Sequence, residues 1–242
     1  MLKKRIYKNY VTTHIEHSKK GIQIDRITLK SFEKHYLNKI PQNLNKDSII
    51  IDIGCGDGAL VHWLNQKGYK NVLGIDLSEE QIKLSKYASN IRLKVADVFD
   101  FLQNETCKYD LIIVRDVLEH FDKEKLADLL NLFNKSLKEN GTILAQVPNA
   151  NSPFSTVMRY GDFTHELSFT EGSIFQILTI ANFNNVLFYP FDPIVSSIKS
   201  FFRFFLYKTM EHVYKFLLSI HFGYKKNRII SYNIIFTCQK KS

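Results

Sequence analysis

Cysteine, proline and tryptophan are scarce in this 242-residue chain, at three, five and one. Cys55, Cys107 and Cys238 are odd in number and far apart, without metal-ligand spacing, which excludes a disulfide framework and a cysteine zinc site. Such thiols suit a reducing cytoplasm. Proline and glycine are too thinly spread for a low-complexity linker and no repeat recurs, so residues 1–242 read as a single domain. No apolar stretch of spanning length is free of charges. The basic start MLKKRIYKNY runs into THIEHSKKG instead of an apolar segment, so no secretory leader is expected. Acids are missing mainly from the ends. Residues 1–46 hold 11 Lys and Arg against 3 acids, and 199–242 hold 9 against 1, while the middle is net acidic. Basic ends suit a phosphorylated or nucleotide-linked small molecule, an anionic membrane surface or RNA, or they are simply solvated lysines.

Glycine is concentrated in one place. In IIDIGCGDG, residues 50–58, an apolar run meets Asp52 and glycine recurs at Gly54, Gly56 and Gly58, the pattern of a buried parallel strand turning sharply into a helix. Glycine permits positive φ there and lets a ligand approach backbone N–H groups at a helix start. A carboxylate at Asp52 would repel a dinucleotide pyrophosphate but suits a ligand bearing an ammonium and a sulfonium, as S-adenosylmethionine does. About twenty residues on, Asp76 closes the second apolar run, NVLGIDLS, where an acid can accept hydrogen bonds from both ribose hydroxyls.

With these features the chain resembles the class I S-adenosylmethionine-dependent methyltransferases over roughly residues 48–190. The resemblance implies a cofactor site formed by Asp52, Gly54, Cys55, Gly56, Asp76, Leu77, Asp97, Val98 and Arg115, with Asp97 on the adenine amino group, Val98 on its ring and Phe99 as a further wall. By residue chemistry alone Asp97 is equally a helix N-cap.

The pattern predicts strands at 48–53, 71–76, 91–95, 109–114, 142–147 and near 185–189, and helices at 58–67, 79–88, 122–138 and 171–181. Alternation of this kind means a doubly wound, Rossmann-like α/β fold with ligands outside the carboxyl ends of the strands. By resemblance a seventh strand in RIISYNIIFTCQKK is antiparallel at the sheet edge. A helix within 25–38 is expected to pack over the cofactor site as part of an N-terminal cap, 1–46, ahead of a cofactor-binding core, 47–147. Tyr7, Tyr10 and His14 read as surface packing.

Two stretches carry candidate acceptor chemistry. YDLIIVRDVLEHF ends in Asp116, Glu119 and His120, which one helical turn would place on a single face. Two carboxylates and an imidazole converging there are costly without a cation or hydrogen-bond partners. The run resembles the E-x-x-E-H pattern of ubiquinone-pathway O-methyltransferases and small-RNA 2′-O-methyltransferases, which implies a divalent metal on Asp116, Glu119, His120 and His165. Asp116 replaces the first glutamate and shortens the reach, so the metal-free reading is preferred. The long loop 148–170 contains D-F-T-H-E and resembles the acceptor segment of methyltransferases from bacterial surface-polysaccharide (capsule and O-antigen) gene clusters. That implies acceptor contacts from Arg159, Tyr160, Asp162 and Glu166, with His165 as general base and His120 beside it.

Residues 194–222, IVSSIKSFFRFFLYKTMEHVYKFLLSIHF, are rich in Phe and Leu but too charged to span a membrane. They read as an amphipathic helix whose apolar face covers the pocket or forms a dimer seam, with a membrane interface as the third option. The combined expectation is an S-adenosylmethionine-dependent methyltransferase acting on an oxygen of a sugar or phosphorylated precursor of a surface polysaccharide. The alternatives are metal-assisted 2′-O-methylation of RNA, N-methylation of an amino sugar or small metabolite, and a silent cofactor-binding subunit. No RNA-binding module is visible, so nucleic acid is not the expected partner; Asp52 disfavours a nicotinamide oxidoreductase.

Overall fold

The computed structural model describes residues 6, 11–12, 26–223 and 228–241; Tyr7, Tyr10 and His14 lie outside the described residues. A seven-stranded sheet runs in the order β3-β2-β1-β4-β5-β7-β6. Its strands are β1 (Ile49–Ile53), β2 (Asn71–Asp76), β3 (Arg92–Val95), β4 (Tyr109–Arg115), β5 (Leu137–Pro148), β6 (Phe183–Pro190) and β7 (Asn233–Lys240). β1 to β5 pair in parallel. β7 runs antiparallel between β5 and β6, so the edge belongs to β6 and the expected edge position of the last strand is corrected. The side chains explain this: β7 reads Asn-Ile-Ile-Phe-Thr-Cys and is buried over its first six residues, whereas in β6 only Phe183 is buried and the other positions are exposed or half-buried, as in an edge strand.

Helices cover both faces because the inner strands are apolar on both sides. Ile51 and Ile53 of β1 and Ile112 and Val114 of β4 pack with α5 (Lys123–Ser136) and α7 (Glu171–Ile180). Ile50, Leu111 and Ile113 face the opposite way, onto α2 (Ala59–Gln66) and α1 (Arg26–His35). The period of two along each strand thus builds two cores from one sheet.

Some elements differ from the sequence expectation. α3 (Glu79–Lys83) is shorter than predicted, and β5 begins five residues earlier than the expected 142. Two short helices had no periodicity to announce them: α4 (Val98–Leu102), capped by Asp97, whose side chain accepts from Phe99 N at 2.9 Å, and α6 (Ser155–Tyr160) within the loop 148–170. Asp116 has a positive φ of 53°, so residues 116–120 are not one helical turn; only Leu118–His120 form a 3-10 turn.

Gly54 holds the sharp exit from β1. Its φ is +70°, and a Cβ there would sit 2.2 Å from Val117 Cγ2. Gly54→Ala is expected to destabilise the chain by about 2–4 kcal/mol, combining left-handed strain with overpacking, read as a lowered Tm. An unchanged Tm would mean that Val117 and the turn after β4 can move aside.

Candidate active site

Two cavities open at the carboxyl ends of the parallel strands, and His120 lines both. The smaller, about 500 Å³, lies along the ends of β1, β2 and β3. Gly54, Asp76, Leu77, Asp97, Val98 and Phe99 line it, with Ile53, Ala96 and Phe121 adding apolar wall. Phe99 and Phe121 meet edge to face at 5.6 Å. Asp76 accepts from Gly56 N at 2.8 Å through one oxygen and from Ser78 N at 2.7 Å through the other. Burial raises its pKa against those two bonds. Each oxygen keeps acceptor capacity toward the groove, which suits a ribose diol. Ser78, Gln81, Asp122 and Lys125 also line the groove and carried no sequence signal.

Four residues expected at the cofactor, Asp52, Cys55, Gly56 and Arg115, do not line this groove. Cys55 is buried in the core and Gly56 serves the loop through its amide. Asp52 is fully buried, and neither of its carboxylate oxygens has a hydrogen-bond partner among the described residues. Burial pushes its pKa up to about 7, opposed by the Arg115 guanidinium. Arg115 lines the larger cavity, over the rings of Phe32 at 5.2 Å and Tyr36 at 5.7 Å. Burial works against its charge, but Asp52, Tyr36 and Asp116 outweigh it and raise its pKa.

The larger cavity, about 850 Å³, is walled by α1, the turn after β4, the acceptor loop and the start of α8 (Ile198–Phe222). α1 therefore faces this cavity through Phe32, His35 and Tyr36, and its expected place over the cofactor groove is corrected. Tyr36, itself buried, donates from its hydroxyl to Gln146 Oε1, and Gln146 Nε2 donates to Asp116 at 2.7 Å. Asn233 Nδ2 also donates to Asp116, at 2.9 Å. Tyr36 directly follows α1, Gln146 lies in β5 and Asn233 in β7, and only tertiary packing brings them together.

Beside Asp116 lie Glu119, His120 and His165, whose ligand-type atoms fall within 4.8 Å of one another. Asp116 is outside that group. Glu119 is fully buried, and neither carboxylate oxygen has a hydrogen-bond partner among the described residues. Burial, then the Asp116 carboxylate, raises its pKa well above the usual range. His165 Nε2 stands 3.9 Å from Glu119 Oε1, and its Nδ1 lies 2.7 Å from Met158 O. A carbonyl only accepts, so Nδ1 carries the hydrogen and Nε2 the lone pair. The Thr164 hydroxyl donates to Asp162 at 2.7 Å, so His120 Nδ1, 2.8 Å from the same oxygen, is the donor to it. Burial and the facing His165 ring lower the His120 pKa to about 4.

Of the four expected acceptor contacts only Asp162 lines the cavity. Arg159 turns away and clamps the loop, donating to the carbonyls of His165 and Glu166. Glu166 docks through its backbone N on Glu119 O at 2.7 Å, and Tyr160 is 76% exposed.

A family model for the methyltransferase domain matches residues 26–187. The chain belongs to that methyltransferase family. It is 27% identical over 111 residues to the ubiquinone biosynthesis O-methyltransferase of Hydrogenovibrio crunogenus, covering 44% of this chain and 45% of that protein. It is 27% identical over 154 residues to the phosphoethanolamine N-methyltransferase of Plasmodium falciparum, covering 60% and 56%. The chain thus spans about half the length of these curated relatives. The fold matches magnesium protoporphyrin IX methyltransferase from Synechocystis, solved with S-adenosylhomocysteine, at a TM-score of 0.60, 17% identity and 99% coverage of both chains. The methyltransferase family and the groove agree on the cofactor, S-adenosylmethionine.

Proposed function

We propose that this methyltransferase-family chain transfers the methyl group of S-adenosylmethionine to a hydroxyl oxygen of a sugar or phosphorylated precursor of a surface polysaccharide, with His165 as general base. The meeting of the two cavities at His120 carries the reading. The cofactor supplies an electrophilic methyl on a sulfonium, and transfer to ROH leaves S-adenosylhomocysteine, the methyl ether and one proton. His165 Nε2 is positioned to take that proton, with Nδ1 pinned by Met158 O and Glu119 beside it. His120, neutral and held through Thr164 by Asp162, orients the junction. Apolar residues Ile27, Phe32, Val157 and Met158 line the acceptor cavity and help to exclude water, so positioning supplies much of the acceleration. The D-F-T-H-E segment and the polar floor of Asp116, Asn233 and Gln146 favour a polyhydroxylated acceptor.

The Glu119–His120–His165 group supports a second, metal-assisted reading. One orphaned carboxylate and two imidazoles fit a divalent transition ion better than magnesium, which favours oxygen ligands. Such an ion would lower the pKa of a bound hydroxyl. The base reading predicts methyl transfer to a member of a nucleotide-sugar and sugar-phosphate panel that persists in EDTA. Loss of activity in EDTA with recovery on manganese would transfer the assignment to the metal. No turnover on any panel member would refute the acceptor class.

A further inference from the structure

α8 is mounted the wrong way round for a helix of a soluble domain. An amphipathic helix ordinarily turns its apolar stripe inward. Here the polar side holds it to the body: Tyr207 and Lys208 bond Asp192 at 3.2 and 2.8 Å. The buried Glu211 takes Lys208 at 2.8 Å and Lys215 at 2.7 Å. The apolar stripe is left outward. Ile198, Phe202, Phe205, Leu206, Phe216 and Ile220 recur at helical spacing and are each between 62% and 77% exposed among the described residues. The expectation that this face covers the pocket is therefore corrected; only Arg203 of the helix lines the cavity.

Charge decides between the remaining occupants. Glu211 is the helix's single acid and is spent on Lys208 and Lys215, while Lys199 and Arg203 flank the stripe exposed. A second copy laid on this face would bring from its own helix no acid left to pair with Lys199 and Arg203. An anionic bilayer instead offers acyl chains to the stripe and phosphate to the flanking cations, the arrangement of an interfacial helix. The sequence continues with the cations Lys225 and Lys226. No helix among the described residues is long and apolar enough to cross a membrane, so the helix would lie in the interface plane. We infer that α8 docks the chain on an anionic phospholipid surface, with Phe202, Phe205 and Phe216 among the inserted side chains and Lys199 on lipid phosphate. The acceptor cavity, which takes Arg203 from the same helix, then lies beside the membrane. This inference concerns location and stands whether or not the acceptor is a sugar.

Co-sedimentation of the full chain with phosphatidylcholine vesicles, with and without phosphatidylglycerol, tests it. Anionic vesicles should bind the chain at least about 10-fold more tightly than neutral ones at physiological salt. Phe202→Glu/Phe205→Glu/Phe216→Glu should abolish binding while S-adenosylhomocysteine affinity stays at the wild-type value. Should that variant not fold, Lys199→Glu removes one cation and adds one anion, and should weaken binding about 25-fold. The inference is overturned by failure to bind anionic vesicles, or by binding that these variants retain. A lipid-free dimer that the triple variant converts to monomer would equally overturn it in favour of a second copy.

Discussion

His165→Ala is expected to lower kcat by roughly 10²–10⁴-fold, the scale of a lost general base, with the affinity for S-adenosylhomocysteine unchanged. The separation follows from geometry, because His165 lines the acceptor cavity and not the cofactor groove. Its ring is anchored at Nδ1, on Met158 O at 2.7 Å, which turns the Nε2 lone pair toward the cavity side where Glu119 stands 3.9 Å away. His120 cannot substitute well. Its pKa near 4 makes it a weak proton acceptor, and its Nδ1 hydrogen is committed to Thr164. Steady-state kinetics with the acceptor found in the panel, paired with calorimetry of the product cofactor, reads both quantities. Normal kcat in the variant would reduce His165 to a packing residue of the loop, and a parallel loss of cofactor affinity would show that the loop had collapsed.

Asp76→Ala should weaken S-adenosylhomocysteine by roughly 1–3 kcal/mol, the cost of removing an acceptor of hydrogen bonds to a charged group. The substitution has two consequences. It removes the groove's carboxylate, and it releases the amides of Gly56 and Ser78, which Asp76 now ties into one loop frame. Asp76→Asn retains one acceptor oxygen and should fall between wild type and alanine. Calorimetry decides: unchanged affinity in the alanine variant would remove Asp76 from the cofactor site, whereas a loss shared equally by alanine and asparagine would assign the effect to its charge.

Residue periodicity was sufficient for most of the sheet. β1, β2, β3 and β4 carry continuous or alternating apolar runs, and each lies within a residue or so of its expected position. The turn after β1 was legible because Gly54 and Gly58, at φ +70° and +80°, adopt conformations few other residues take without strain. Asp76 and Asp97 were legible as strand-end residues, and both line the groove, Asp97 with its side chain capping α4. α4 and α6 escaped notice because five or six residues give no helical period.

Much of the proposed acceptor site belongs to the tertiary structure. Tyr36, Gln146 and Asn233 each look like ordinary core or strand residues in sequence, and they converge on Asp116 only because α1, β5 and β7 pack around one strand end. Placing β7 between β5 and β6 required comparing the burial of two strands that are both apolar in sequence. Arg159 resembled an acceptor ligand by its neighbours, yet backbone carbonyls consume its guanidinium. For α8 the sequence determined an amphipathic helix with a basic rim. Which side faced inward was decided by Asp192, whose carboxylate bonds Tyr207 and Lys208 and so draws the polar face onto the body. Helical periodicity records that two faces differ; it does not record which of them a distant carboxylate will claim.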